Sequence, residues 1–353
     1  MTTQKIIVPP KLKRGDGLRV IAPSDSMTDA DMSKREINKA IQRLKDIGLE
    51  VSFSKNINEN NLVGSSSPES RIEDLHEAFE NPAVKIIMAI DGGWTTHEML
   101  DGIDWDMITD NPKTVCGFSD MTTLLNAINA KTGLVTYYGP TFNFFGVPKS
   151  EKIEETINSF YQCLFVEGNY KIMPSEKWFD KIKTNNIKIM PSDSPAEPSS
   201  VDFVYQGKDF RNEGYWVINE GETEGGIIGG NLDTLNIIKG TEYMPNPEGR
   251  ILLVEDTYYE YFLRYFNRYL QALLNLPEFK KIAGLVIGRF EKDSGITKND
   301  LTELIKSKKE LTKIPVIANV DFGHTYPLIT LPIGGTVKIT ANTCEAEIEI
   351  LNH

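Results

Sequence analysis

The stretch VCGFSDMTTLLNAI (Val115–Ile128) places a serine between two runs with different periodicities. The residues before it, KTVCGF, are apolar and β-branched enough for a buried strand. After it, Met121, Leu124, Leu125 and Ile128 recur at helical spacing. Ser119 therefore falls in a strand-to-helix turn. A serine there can cap the helix, its oxygen accepting from an orphan backbone N–H. It can equally be a nucleophile, because a tight turn entering a helix exposes an oxygen beside unpaired backbone donors. The turn alone leaves both roles open.

Outward from this unit, LRVIAP, SKREINKAIQRLKDIG, KIIMAIDGG and GLVTYYGP continue the alternation of strand-like and amphipathic runs. Such alternation predicts an α/β protein whose N-terminal domain, residues 1–165, is a Rossmann-like parallel sheet with crossover helices. Loops at the carboxyl ends of the strands, where ligands bind in open α/β sheets, are then APSDS, DGGW and FSDMT. Between Val166 and Asp202 the pattern gives way to polar, proline-bearing sequence including MPSDSPAEPSS, read as a connector over 166–202. Beyond it, YWVINEG, GRILLVED, AGLVIGRF, IPVIANVDF and TVKITA read as short strands, with helices at LDTLNIIKG and EYFLRYFNRYLQALLNL. They predict a β-rich α/β C-terminal domain over 203–353.

With 38 basic and 50 acidic residues among 353, the net charge of −12 disfavours duplex nucleic acid and anionic membranes as partners. A small anionic ligand in a local pocket stays compatible with it. No apolar run approaches the roughly 20 residues that span a bilayer, and MTTQKIIVPPKLKRGD lacks the apolar core of a signal peptide, so a cytoplasmic location is expected. Cys116, Cys163 and Cys344 form neither a disulfide framework nor a zinc spacing.

Four histidines are available. His76 lies on an amphipathic helix, His97 lacks the second histidine of a zinc-peptidase motif, and His353 ends the chain. His324, in IPVIANVDFGHTYP, follows a strand, where either a base or a loop-bound ring fits. GRILLVED offers Glu255 and Asp256 at the end of another strand. An acid after four apolar residues needs a donor, which an imidazole N–H would supply, although a strand-end cap or a surface ion pair is equally consistent. In AIDGGWTT, Gly92 and Gly93 let backbone N–H groups approach a reacting carbonyl, with the N–H after Ser119 as second donor. GGIIGGNLDTL sets Asn231 at the start of a helix, suiting either an anion site or a simple helix entry.

Taken in order, LKRGDGLRVIAPSDS, SRIEDLHEAF, DGGW, NPKTVCGFSDMTTLLNAI, TYYGP, GGNLDTL, LLVEDT, GLVIGRF and DFGHTYP resemble the LD-carboxypeptidase and microcin C immunity family of serine peptidases, through nearly the whole chain. The resemblance implies Ser119 as nucleophile, Glu255 as orienting carboxylate and His324 as general base. The oxyanion donors it implies are the backbone around Gly93 and Asp120. It implies neither a metal nor an organic cofactor, and it suggests a homodimer. The long connector with Trp178, and Asp91 where LD-carboxypeptidases more often carry arginine, lean toward the immunity branch. There Trp178 is the candidate to stack on a nucleotide base, with Gly92 and Asn231 as further substrate contacts, while Tyr258 and Tyr259 occupy the stretch after Glu255 that helps choose the substrate.

The expected activity is amide hydrolysis on a peptidyl or aminoacyl nucleotide of the microcin C type. The alternative is removal of a terminal D-amino acid from muropeptides. Two other readings are a silent ligand-binding protein, against which retention of all three triad residue types counts, and a cysteine hydrolase using Cys116, whose place inside the strand argues for burial.

Overall fold

The computed structural model describes residues 5–30, 32–180, 209–343 and 345–353. Its first half builds β1 (Gly17–Ile21), α1 (Lys34–Asp46), β2 (Glu50–Phe53), α2 (Pro68–Glu80), β3 (Val84–Ala89), α3 (Trp105–Asp110), β4 (Thr114–Gly117), α4 (Thr122–Thr132), β5 (Thr136–Tyr138), α5 (Phe142–Gly146) and α6 (Glu151–Phe165). Then come β6 (Tyr170–Ile172), β7 (Lys177–Trp178), β8 (Phe210–Arg211), β9 (Trp216–Asn219), β10 (Gly221–Asn231), α7 (Leu232–Ile237), β11 (Ile251–Glu255) and α8 (Phe262–Leu274). The chain ends with β12 (Gly284–Gly288), α9 (Lys298–Lys306), β13 (Val316–Val320), β14 (Leu331–Ile333), β15 (Thr336–Ala341) and β16 (Ala346–Asn352).

The alternating half forms a parallel sheet in the order β2-β1-β3-β4-β5, as its sequence pattern predicts. Val20, Ile21, Ile86, Ile87, Met88, Val115 and Cys116 are buried, as expected for strands covered on both faces. The second half carries its own parallel run, β10-β11-β12-β13, edged by antiparallel β9. β14 joins the two, antiparallel to β5 and parallel to β10, so one 14-stranded sheet crosses both halves. The two halves therefore share backbone hydrogen bonds, which a sequence pattern broken by a polar stretch does not reveal.

Three of the strands that escape sequence reading do so for identifiable reasons. Inside the segment read as connector, Tyr170–Ile172 pairs with β16 and Lys177–Trp178 pairs with β8; both are too short to show a period. The segment GETEGGIIGGN is one eleven-residue strand whose glycines mask it. They are there for clearance: a Cβ on Gly229, at φ +115°, would lie 2.0 Å from the Leu253 carbonyl oxygen on β11.

Gly229→Ala should therefore cost about 2 kcal/mol or more, a fall in melting temperature of roughly 4 °C or more. Gly249→Ala, also at positive φ but with open space around its Cβ, supplies the strain-only control. Equal losses in thermal melts of the two variants would show that the clash with β11 contributes nothing.

Candidate active site

Ser119 lies two residues after β4 and opens a single 3₁₀ turn (Ser119–Met121) before α4. Its φ is +59°, unusual for a residue with a side chain, and no capping bond runs from its hydroxyl. Such a conformation costs on the order of 1–3 kcal/mol and persists only where the surroundings fix it. Here Thr122 Oγ1 donates to the Ser119 carbonyl at 2.7 Å, and the Ser119 N–H donates to the Tyr138 hydroxyl at 3.0 Å. The glycine before the turn, Gly117, leaves room for Met121, whose Cγ would lie 2.7 Å from an added Cβ. The hydroxyl is thus held at a strained strand-to-helix corner and is free of cap duty.

Glu255 is the last residue of β11 and fully buried. Its Oε2 is 2.7 Å from His324 Nδ1, its Oε1 accepts from the Tyr138 hydroxyl at 2.5 Å, and Asn231 Nδ2 adds a longer contact at 3.3 Å. Burial raises the pKa of this carboxyl, but the His324 ring and these donors outweigh it and hold the group below its usual range. His324 responds in the opposite sense. Burial disfavours its charged form, yet the Glu255 charge and hydrogen bond prevail and lift it above the ordinary imidazole value. Its ring packs against Phe118, the residue before the serine, at 5.3 Å between centroids. No hydrogen bond joins Ser119 Oγ to His324 among the described residues.

The Gly92–Gly93 loop lies against the serine: a Cβ on Gly92 would sit 3.3 Å from Ser119 Oγ. Among the described residues the N–H groups of Gly93 and Asp120 take part in no hydrogen bond, leaving both available to an oxyanion. Their placement depends on side chains that sequence reasoning missed. Asp120 Oδ2 accepts from Ser24 Oγ at 2.6 Å and from Thr96 N at 2.9 Å, tying the serine turn to both neighbouring loops. Arg71, 2% exposed on α2, donates to the Pro23 carbonyl, the Thr95 carbonyl and Thr95 Oγ1. A Cβ on Gly93, at φ +137°, would collide with Asp25 Oδ1 at 2.2 Å and Ser24 Oγ at 2.3 Å.

Further acids surround this centre. Asp256 is 3% exposed; burial and the adjacent Glu255 charge push its pKa up to about 8, and its Oδ2 has no partner among the described residues. Asp91 is raised by burial and feels the His324 charge, while Asp25 is pushed up to about 6, chiefly by burial and then by Asp29, Asp91 and Asp120. Among the described residues no histidine, cysteine or carboxylate cluster has a metal-binding arrangement.

Asn231 caps α7 through Thr234 N and gives its amide to Glu255 and Asp256, so its side chain is engaged within the protein. Trp178 is 9% exposed, packed on Phe210 at 4.8 Å and beneath the Arg289 guanidinium at 5.2 Å. It lines a cavity of about 500 Å³ with Arg289, Glu291, Lys292 and the start of α9. Arg289 is itself locked in a buried pair with Asp321, which removes that acid from competition for His324. Cys116 is fully buried and its thiol is pushed well up by burial, which rules it out as nucleophile. His76 accepts from Asp104 N between α2 and α3, a packing role, and His97 is exposed.

Comparison with known proteins follows the same outline. Models of the LD-carboxypeptidase N-terminal domain and C-terminal domain match residues 18–139 and 224–339. YocD of Bacillus subtilis is 40% identical over 97% of this chain and 99% of its own. The structure of an MccF-like protein from Bacillus anthracis superposes with a TM-score of 0.88 at 42% identity, covering 98% of this chain and 100% of the other. The microcin C7 self-immunity protein MccF of Escherichia coli is 30% identical over 87% of this chain and 86% of its own. Its structure in complex with glutamyl sulfamoyl guanosine gives a TM-score of 0.83 at 28% identity, covering 98% of both chains.

Ser119→Ala should abolish amide hydrolysis while leaving the melting temperature nearly unchanged, since the hydroxyl supports no helix cap; turnover and melts on one preparation check this. A base must be neutral to accept the serine proton, so kcat/KM should rise with pH through a midpoint above 6.5, the raised His324 pKa. Glu255→Gln removes the largest of the charges that lift it, so the midpoint should move to lower pH, with kcat down by about 10⁴. A pH–rate profile of each protein reads both effects.

Proposed function

The chain belongs to the LD-carboxypeptidase family of serine peptidases, and from that premise we propose that it hydrolyses an amide bond in a peptidyl or aminoacyl nucleotide of the microcin C type. In this reading Ser119 Oγ attacks the carbonyl and His324 takes its proton and returns it to the leaving amine. Glu255 holds the ring in the tautomer that directs Nε2 at the serine. The N–H groups of Gly93 and Asp120 receive the developing oxyanion, and water resolves the acyl-enzyme through the same base.

The observation that carries the substrate reading is the sign of the charges at the site. Glu255 keeps its charge beside His324, with Glu291 acting on the same ring, and Asp91 and Asp25 add carboxyl groups around it. A muropeptide tail presents a free carboxylate one residue from its scissile bond, and a like-charged setting disfavours it. An aminoacyl nucleotide lacks that terminal carboxylate and presents an α-ammonium on the acyl side of its scissile bond, which an acidic setting favours. MccF, a family member, has been captured with glutamyl sulfamoyl guanosine, a ligand of this chemistry. The cavity beside Trp178 and Lys292 is of a size to take the nucleoside end.

Within this reading Trp178 anchors its segment to the cavity wall, because little of the ring is left for a base to stack on. The deciding measurement is kcat/KM for aspartyl sulfamoyl adenosine beside that for a murein tetrapeptide under one buffer. A preference of at least about 100-fold for the adenylate, roughly 2.7 kcal/mol of differential transition-state binding, is expected. A preference for the tetrapeptide would instead assign the chain to removal of terminal D-amino acids. Trp178→Ala should raise KM for both substrates and lower the melting temperature. A rise confined to the adenylate would restore base stacking as the role of this ring.

A further inference from the structure

We propose that Tyr138, which neither the comparisons nor the motif reading singles out, is a positioning residue that couples the serine turn to the catalytic carboxylate; this rests on Ser119, Glu255 and His324 acting as the triad. The ring is fully buried at the end of β5. Its hydroxyl makes two bonds whose directions are fixed by chemistry. The Ser119 N–H can only donate, so at 3.0 Å the tyrosine oxygen accepts. An ionised carboxylate can only accept, so at 2.5 Å the single phenolic proton goes to Glu255 Oε1. Burial and the Glu255 charge raise the phenol well above its ordinary pKa, so that proton is retained at any working pH.

Two consequences follow for the reaction. With Oε1 occupied by Tyr138, the carboxylate presents Oε2 to His324 Nδ1, which sets the plane of the imidazole. With the Ser119 N–H turned to the phenol, the next N–H, that of Asp120, is the one left for the oxyanion. The surroundings are shaped to keep the ring in place. Gly230, at φ +141°, would drive a Cβ to 2.7 Å from Tyr138 Cε2, and the pairing of Gly117 with Tyr138 sets the phenol strand beside the serine strand.

The test is Tyr138→Phe assayed with whichever of aspartyl sulfamoyl adenosine and the murein tetrapeptide the wild type turns over. Turnover should fall 10- to 100-fold with KM within twofold. The acid limb of kcat/KM should move to higher pH, because a carboxylate that has lost a donor pulls harder on the His324 proton. In the Glu255→Gln background the added loss from Tyr138→Phe should be several-fold smaller than in wild type. An unmoved acid limb, or the same loss in both backgrounds, would reduce Tyr138 to packing and overturn the proposal. If the phenylalanine variant melts below the assay temperature, Tyr138→3-fluorotyrosine replaces it: a stronger donor should move the limb to lower pH, and no movement overturns the proposal. Near wild-type turnover by Ser119→Ala in the same series would instead overturn the triad assignment beneath it.

Discussion

Everything around the candidate site is arranged to keep one carboxylate ionised inside a sheet. Glu255 has no exposed surface, and an unpaired charge there would cost several kcal/mol. It is kept charged by groups from three separate places in the chain: Tyr138 from β5, Asn231 from the cap of α7 and His324 from the loop after β13. Space for it is made by glycines on either side. An added Cβ on Gly288 would lie 2.8 Å from Glu255 Cβ, and one on Gly323 2.5 Å from Oε2. The positive φ of Gly323 lets the loop fold back so that His324 reaches the carboxylate.

A second acid beside the first would normally defeat such an arrangement, since two adjacent charges cannot both be held in a buried site. The structure resolves this by unequal solvation. Glu255 receives three donors, two of them short, and its pKa is held down. Asp256 receives Thr257 N and the shared Asn231 amide on one oxygen only, and it is raised. Of this adjacent pair only Glu255 stays charged beside His324, and its direction is set by which oxygen Tyr138 leaves free. The acids farther out, Asp25 and Asp91, do not belong to this pairing; they set the sign of the field that an incoming substrate meets.

The three side chains proposed to react were legible in the sequence because each follows a buried strand or enters a turn, and strands announce themselves by apolar runs: KTVCGF before Ser119, RILLV before Glu255, IPVIANV before His324. Gly92 and Gly93 were legible for a similar reason, as the turn ending KIIMAI. What stayed hidden lacks a periodic signature. Tyr138 reads as an ordinary apolar strand residue in TYYGP, and only the pairing of β5 with β4 brings its hydroxyl to the serine. Arg71 and Asp120 act through side chains that reach loops 24 and 96 residues away, separations at which one chain carries no local pattern. Asn231 was found, but the carboxylates it serves could not be known before β10 and β11 were seen side by side. The same holds for β10 itself, whose glycines read as a helix entry until the neighbouring strand explains them.

The join between the halves gives the site its geometry. The proposed nucleophile and oxyanion loop come from the first half, the proposed carboxylate and base from the second, and the sheet closes between them where β5 meets β14 through Thr136↔Ile333, Tyr137↔Pro332 and Tyr138↔Leu331. Side chains alternate across a strand, so a slip of one residue in β5 would turn Tyr138 to the opposite face and carry its hydroxyl away from both Ser119 and Glu255. The register at this seam is therefore fixed twice over, once by backbone pairing and once by the need of a buried carboxylate for its donor. Neither half contains the whole candidate site, and the contact that unites them as a sheet also brings the two parts of the proposed triad together.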